Sequence, residues 1–280
     1  MRGALKSYPR SLLTPRAIPP ISAILPIGCI TVSHAKPFLI VQAGAAPDDL
    51  QAHFGDIPDW FCHALDVLPG AVQVVRPYAG EALPDPATVG AAVITGSWAM
   101  VTDRADWSER TAGWIRTAMD VEMPLLGVCY GHQLMAHALG GNVDYHPAGI
   151  ELGRRTVSLL PAAAADEATR DLPASFQVNL THMQTVVELA PGSVALAASD
   201  HDPHQIVRVG PRALSVQFHP EFRSDIMAAV IKRREAEHLA RGLDVSKMLA
   251  DVGPTPQALQ ILRDVWSALP SAAAPMASVV

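Results

Sequence analysis

From Phe38 onward, short apolar runs alternate with longer segments in which apolar positions recur every three or four residues. The runs FLIVQAG from Phe38, AVQVVRPY from Ala71, AAVITGS from Ala91 and MPLLGV from Met123 have the length and continuity of buried strands. Between them, Asp48–Leu68 reads as a helix broken at Gly55 and Pro58, and Ser108–Met119 as a second helix. HQLMAHAL, from His132, reads as a third that stops at the Gly140-Gly141 pair. Strands separated by helices predict right-handed crossovers and a mostly parallel sheet covered on both faces. Sites on such sheets open at the carboxyl ends of the strands.

The second half has a different rhythm. RTVSLL, FQVNLTH, SVALAAS, QIVRVG and ALSVQFH are strand-like, and the turns Ala190-Pro191-Gly192 and Gly210-Pro211 leave little room for helices, so antiparallel hairpins are expected. Helix returns at Asp225–Arg241. Another opens at Thr255-Pro256, with Leu259, Leu262, Val265, Trp266 and Leu269 on one stripe that fits packing on the body of the protein. The fold class expected is α/β: an open, mostly parallel, flavodoxin- or Rossmann-like sheet with helices on both faces and hairpins in the second half.

The first 36 residues stand apart. They hold Arg2, Lys6, Arg10, Arg16 and Lys36 with no acid, and AIPPISAILPIGCITVSHA ends like a small-x-small cleavage site. Pro19, Pro20 and Pro26 interrupt the apolar part, and no uninterrupted run reaches the ~20 residues of a spanning helix. Residues 1–36 are therefore read as a disordered extension or a non-native start in preference to an export signal, and no membrane partner is expected. The formal charge of −6 comes with no basic stripe, which argues against a nucleic-acid partner. Three widely spaced cysteines, Cys29, Cys62 and Cys129, form no C-x-x-C pair, so a reducing, cytoplasmic setting fits better than a disulfide framework.

Cys129 sits where a strand turns at once into a helix, in Gly127-Val128-Cys129-Tyr130-Gly131. Small residues two positions to either side permit the tight turn of a nucleophile elbow. The positive end of the helix would favour a thiolate there. On that pentapeptide alone, a catalytic thiol and a buried structural cysteine both remain open. The stretch LSVQFHPEF adds a second signal: on an extended segment His219 and Glu221 project to one side, so Glu221 can orient the ring that takes a proton from Cys129.

GVCYGHQLMAHALGG and VQFHPEF, preceded by AAVITGS and the HPAGIELG loop, together resemble the class I glutamine amidotransferases over roughly Lys36 to Phe222. The resemblance implies an amidotransferase domain at 37–224, followed by a helical extension at 225–280. It implies a triad of Cys129 as nucleophile, His219 as general base and acid, and Glu221 as orienting carboxylate. It further implies an oxyanion hole from Tyr130 and from Gly96 or Ser97, and substrate contacts from Gln133, Glu151 and Gly153. Ile150 stands where relatives usually carry a basic residue, and Gln184 where they often carry an acid.

The implied reaction is hydrolysis of the side-chain amide of glutamine through a γ-glutamyl thioester, with ammonia passing to a separate synthetase subunit. A stand-alone γ-glutamyl peptide hydrolase and a catalytically silent binding protein are the alternatives. No G-x-G-x-x-G or Walker loop predicts a nucleotide, and no cofactor or metal is expected. Asp200-His201-Asp202-Pro203-His204 has metal-ligating residue types but the setting of a solvated turn. His132, His137 and His146 are expected to pack or face solvent, and Cys62 to lie in the core.

Overall fold

The computed structural model describes residues 36–267. The extension before Lys36, with its signal-like stretch and Cys29, and the stripe residue Leu269 lie outside the described residues. Four short strands, β1 (Phe38–Val41), β2 (Val72–Val75), β3 (Ala91–Ile94) and β4 (Leu125–Val128), alternate with the helices α1 (Asp48–Phe54), α2 (Ile57–Leu65) and α3 (Asp106–Asp120). Helix α4 (Tyr130–Ala138) follows β4 directly. Then come β5 (Asn142–Tyr145), β6 (Glu151–Leu159), β7 (Ser175–His182), β8 (Gln184–Glu188), β9 (Val194–Ala198), β10 (Ile206–Gly210) and β11 (Ala213–Val216). The chain continues through α5 (Ser224–Arg233), α6 (Glu235–Ala240), α7 (Val245–Ala250) and α8 (Pro256–Ser267).

Nine strands form one sheet in the order β2-β1-β3-β4-β11-β10-β9-β6-β7. Pairing is parallel from β2 to β11 and antiparallel from β11 to β7, so the two rhythms of the sequence become the two halves of one sheet. The parallel half obeys strand alternation. Phe38 and Ile40 of β1 enter one buried cluster with α2, α5 and α8, whereas Leu39 and Val41 enter the other with α3 and α4. Both faces of β1 are thus dry, which is why it reads as an unbroken apolar run.

Three expectations need adjusting. The break between α1 and α2 falls at Gly55-Asp56, where Gly55 takes φ 75° and Asp56 caps α2 reciprocally with Asp59. Pro58 lies inside the first turn of α2, where its missing N–H has no intrahelical acceptor to lose. The segment expected as one helix over Asp225–Arg241 is two, because Arg234 (φ −119°, ψ 30°) leaves helical geometry between α5 and α6. Strands β5 and β8, absent from the sequence reading, pair as a separate two-stranded sheet. On α8, Leu262 is buried while Leu259, Val265 and Trp266 pack partly buried against the core, and Trp266 meets Phe38 edge-on at 4.9 Å.

Candidate active site

Cys129 links β4 to α4 with φ 51° and ψ −99°, a combination that costs a side-chain-bearing residue of order 1–3 kcal/mol. Glycine is required on either side by close approach. A Cβ at position 131 would lie 2.3 Å from the carbonyl oxygen of Ile94, and one at 127 would lie 2.7 Å from that of Gly131. Cys129 N–H donates to Val216 O at 2.9 Å, and Gln133 N–H donates to Cys129 O at 3.1 Å, so the strained residue is held by β11 and by α4. Its thiol lines a cavity of about 110 Å³, 3.8 Å from the carbonyl oxygen of Thr181.

His219 comes to the same cavity from the loop after β11. Its Nδ1 lies 2.8 Å from Oε1 of Glu221, and both side chains are buried. Strand alternation is not what joins them. The four residues from His219 form a turn closed by Phe222 N–H donating to His219 O at 3.3 Å, and this turn swings the carboxylate under the ring. Phe222 stacks on the imidazole at 4.0 Å, and His219 N–H is tied to Asn179 O at 2.9 Å. The buried Nε2 has no hydrogen-bond partner among the described residues. Burial works against the imidazolium, but Glu221 and the nearby Cys129 sulfur outweigh it and raise the ring to about 10.

Gly96 and Ser97 also line the cavity, after β3. Thr95 fixes that turn: its hydroxyl donates to Gly96 O at 2.9 Å and accepts from Ala43 N–H at 3.0 Å. Tyr130 begins α4 at the cavity, while its ring turns towards α3, stacking on Trp107 at 5.5 Å with its hydroxyl 2.6 Å from Ser108 Oγ. Burial drives that phenol up to about 12. Gln133 lines the cavity too, but its amide N–H groups already bind Gln184 O at 2.7 Å and Gln217 Oε1 at 3.0 Å, leaving Oε1 as the atom it can offer a ligand.

The expected substrate contacts Glu151 and Gly153 do not line this cavity, although Ile150 does. Glu151 opens β6 with its carboxylate turned inward, where it accepts from His182 Nε2 at 2.9 Å, Ser199 Oγ at 2.8 Å and Gln205 Nε2 at 2.8 Å. These donors account for its burial without a substrate. Gly153 lies beyond it, with φ 100°, against Met248 of α7.

The remaining candidates have structural roles. Asp202 is buried, accepting from Thr185 Oγ1 and from His204 N–H at 2.8 Å, while His204 Nδ1 donates to Val186 O at 2.7 Å. No metal-holding group of three His, Cys, Asp or Glu residues occurs among the described residues. His132 Nδ1 meets Ser215 Oγ at 2.8 Å, and burial drives this ring down to about 3. His137 pairs with Glu109 at 3.0 Å, and His146 stacks on His201 at 4.0 Å. Burial, with help from Asp59, raises the Cys62 thiol above its ordinary range. Among the described residues no helix is long and apolar enough to cross a membrane.

Sequence reasoning missed one wall of the cavity. Val230 and Arg233 of α5, Arg234 at the junction and His238 of α6 line it together with residues of α1 and α2. In sequence they look like a solvated helix face, and the signal that sets them apart is tertiary.

Comparison with known proteins agrees with the geometry. Residues 62–237 match the family model "Glutamine amidotransferase class-I". Gamma-glutamyl peptidase 5 of Arabidopsis thaliana is 27% identical over 143 residues, which are 50% of this chain and 57% of that protein. A glutamine-hydrolyzing GMP synthase of Aeropyrum pernix is 33% identical over 144 residues, 51% of this chain and 26% of that protein. The match thus spans little more than half the length of the peptidase and about a quarter of the synthase. In fold, the chain is similar to a glutamine amidotransferase of Thermotoga maritima, with a TM-score of 0.66 at 19% identity, covering 85% of this chain and all of that one. A family model that covers most of the chain, from the α2 wall through the elbow to the histidine turn, establishes that the protein belongs to the class I glutamine amidotransferases.

Proposed function

We propose that the protein hydrolyses the γ-amide of glutamine and of γ-glutamyl compounds through a thioester on Cys129. The observation that carries this reading is the His219 ring, held by Glu221 at 2.8 Å through Nδ1, with a buried, unpartnered Nε2 beside a cysteine on a strained elbow. The raised imidazole stands next to the thiol as the base that takes its proton to give the nucleophilic form.

In this reading the thiolate attacks the γ-carbonyl carbon and forms a C–S bond. The oxyanion accepts from Tyr130 N–H and from the Gly96 or Ser97 N–H. His219 then gives its Nε2 proton to the leaving nitrogen as the C–N bond breaks. Water attacks the thioester, His219 takes a proton from it, and the C–S bond breaks to release glutamate and the thiolate. Glu221 keeps the ring in the tautomer and orientation that both transfers require. Gln133 holds the glutamyl portion.

Two uses of this chemistry differ in the amine released. With glutamine the product is ammonia, which a separate synthetase subunit would consume; similarity to the glutamine-hydrolyzing synthase supports that use. With a γ-glutamyl peptide the product is an amino acid or peptide and no partner is needed, a use that similarity to the peptidase supports.

The test is product release from glutamine, γ-glutamyl dipeptides and glutathione by wild type, Cys129→Ala and Cys62→Ala. Cys129→Ala is expected to lower kcat by about a thousandfold or more, with Cys62→Ala close to wild type. Equal activity in the Cys129 variant would overturn the proposal. Glutamine turnover that rises only when a synthetase subunit is added would identify the ammonia-donating use.

A further inference from the structure

His238 is 2% exposed, and neither of its ring nitrogens has a hydrogen-bond partner among the described residues. A buried imidazole without partners among the described residues is costly unless something else satisfies it. Its place explains what that something is, because His238 lines the catalytic cavity with Arg233 and Arg234. Arg233 spends its Nε on Asp49 at 2.8 Å, and Arg234 pairs through Nη2 with Glu237, so each guanidinium keeps further donors. Neither acid lines the cavity. Among the described residues, the one carboxylate that does is Glu221, already engaged by His219. This wall therefore offers hydrogen-bond donors to the cavity, with Asp49 and Glu237 paired to the two guanidiniums from outside it.

The direction of the reaction assigns that wall to one half of the substrate. His219 must stand beside the leaving nitrogen to protonate it, so the amine half lies on the His219 side of Cys129. From His219 the chain passes through Pro220, Glu221 and Phe222, whose ring stacks on the imidazole and lines the cavity, and enters α5 at Ser224. The surface next to the leaving group is thus the one built by α5 and α6.

The geometry points to Arg233, Arg234 and His238 as a subsite for a carboxylate carried on the amine half of a γ-glutamyl substrate. The inference rests on the hydrolytic reading above and deepens it, since glutamine has no carboxylate on that side and a γ-glutamyl dipeptide does. Burial and Arg234 both hold the His238 ring below its ordinary value, which leaves it neutral at neutral pH with one N–H to donate.

Three substrates separate the possibilities: γ-glutamylglycine, γ-glutamylmethylamide, which lacks only the glycine carboxylate, and glutamine. Wild type is expected to favour the dipeptide over the methylamide by about tenfold or more in kcat/KM, as for a charge-assisted hydrogen bond. His238→Phe and Arg234→Ala should each raise KM for the dipeptide by roughly tenfold while kcat changes little, erasing that preference. His238→Gln, which keeps a donor, should recover most of it. Thermal melting identifies any variant that merely loses fold, and Arg234, being partly exposed, gives an independent reading.

Equal use of dipeptide and methylamide by wild type, or a parallel loss on all three substrates, would overturn the subsite. Binding of γ-glutamylglycine to Cys129→Ala, with and without His238→Phe, is measured by calorimetry and needs no turnover. Weaker binding in the double variant supports the subsite even if hydrolysis fails, and unchanged binding refutes it even if hydrolysis holds.

Discussion

A Cβ on residue 96 would stand 2.8 Å from Cε1 of His219 and 3.7 Å from Cβ of Cys129, so Gly96 is the floor over which the imidazole and the thiol converge. Any side chain at that position must push the ring aside. Gly96→Ala is therefore expected to lower kcat by about 10²–10³, the scale on which a lost oxyanion donor or a misplaced catalytic group acts. Its melting temperature should fall by no more than about 4 °C, because the clash is with a side chain at the cavity and not with packed backbone. Steady-state kinetics beside thermal melting check both parts. Full activity would mean that the ring has another productive position.

The two buried histidines make stability depend on pH in opposite directions. His219 is raised from 6.5 to about 10, so its contribution is whole below pH 6.5 and is lost as pH climbs from there to about 10. His132 is lowered from 6.5 to about 3, so its neutral form contributes above pH 6.5 and that contribution is lost as pH falls towards 3. Stability of the wild type is expected to peak near neutral pH. Glu221→Gln removes the carboxylate that raises His219, so it should flatten the alkaline decline, leave the acid decline in place, and lower kcat by about two to four orders of magnitude. Chemical denaturation across pH 5 to 10 would refute this if the variant kept the wild-type alkaline slope.

Glu151 was expected from the sequence to bind substrate, and its three inward donors predict an effect on stability instead. Replacing it by alanine strips an acceptor from His182, Ser199 and Gln205 in a buried site. The expected loss is roughly 3 kcal/mol of folding free energy. KM for glutamine measured below the melting transition should stay close to wild type, because the carboxylate does not line the cavity. A large rise in KM with an unchanged melt would restore Glu151 to the substrate contacts.

Two parts of the site were legible in the residues themselves. Glycines flanking Cys129 announce the elbow because part of the demand is local: a Cβ at Gly127 would lie 2.7 Å from the carbonyl oxygen of Gly131. The pairing of His219 with Glu221 was also readable, though through a turn and not through extended alternation. Strands β5 and β8 escaped notice because polar residues such as Asn142, Asp144, Gln184, Thr185 and Glu188 interrupt them, so neither forms an apolar run.

Sequence alone determined the periodicities of the elements, the strained turn at Cys129 and the identity of the acid beside His219, because φ/ψ demands, tight turns and side-chain alternation act between near neighbours along the chain. Tertiary structure decided that Glu151 faces inward to three donors and that Arg233, Arg234 and His238 line the same cavity as the thiol. Those outcomes depend on how α5, α6 and the antiparallel strands pack against the sheet. Packing joins residues far apart in the chain, and no local pattern records which face of a charged helix will be buried.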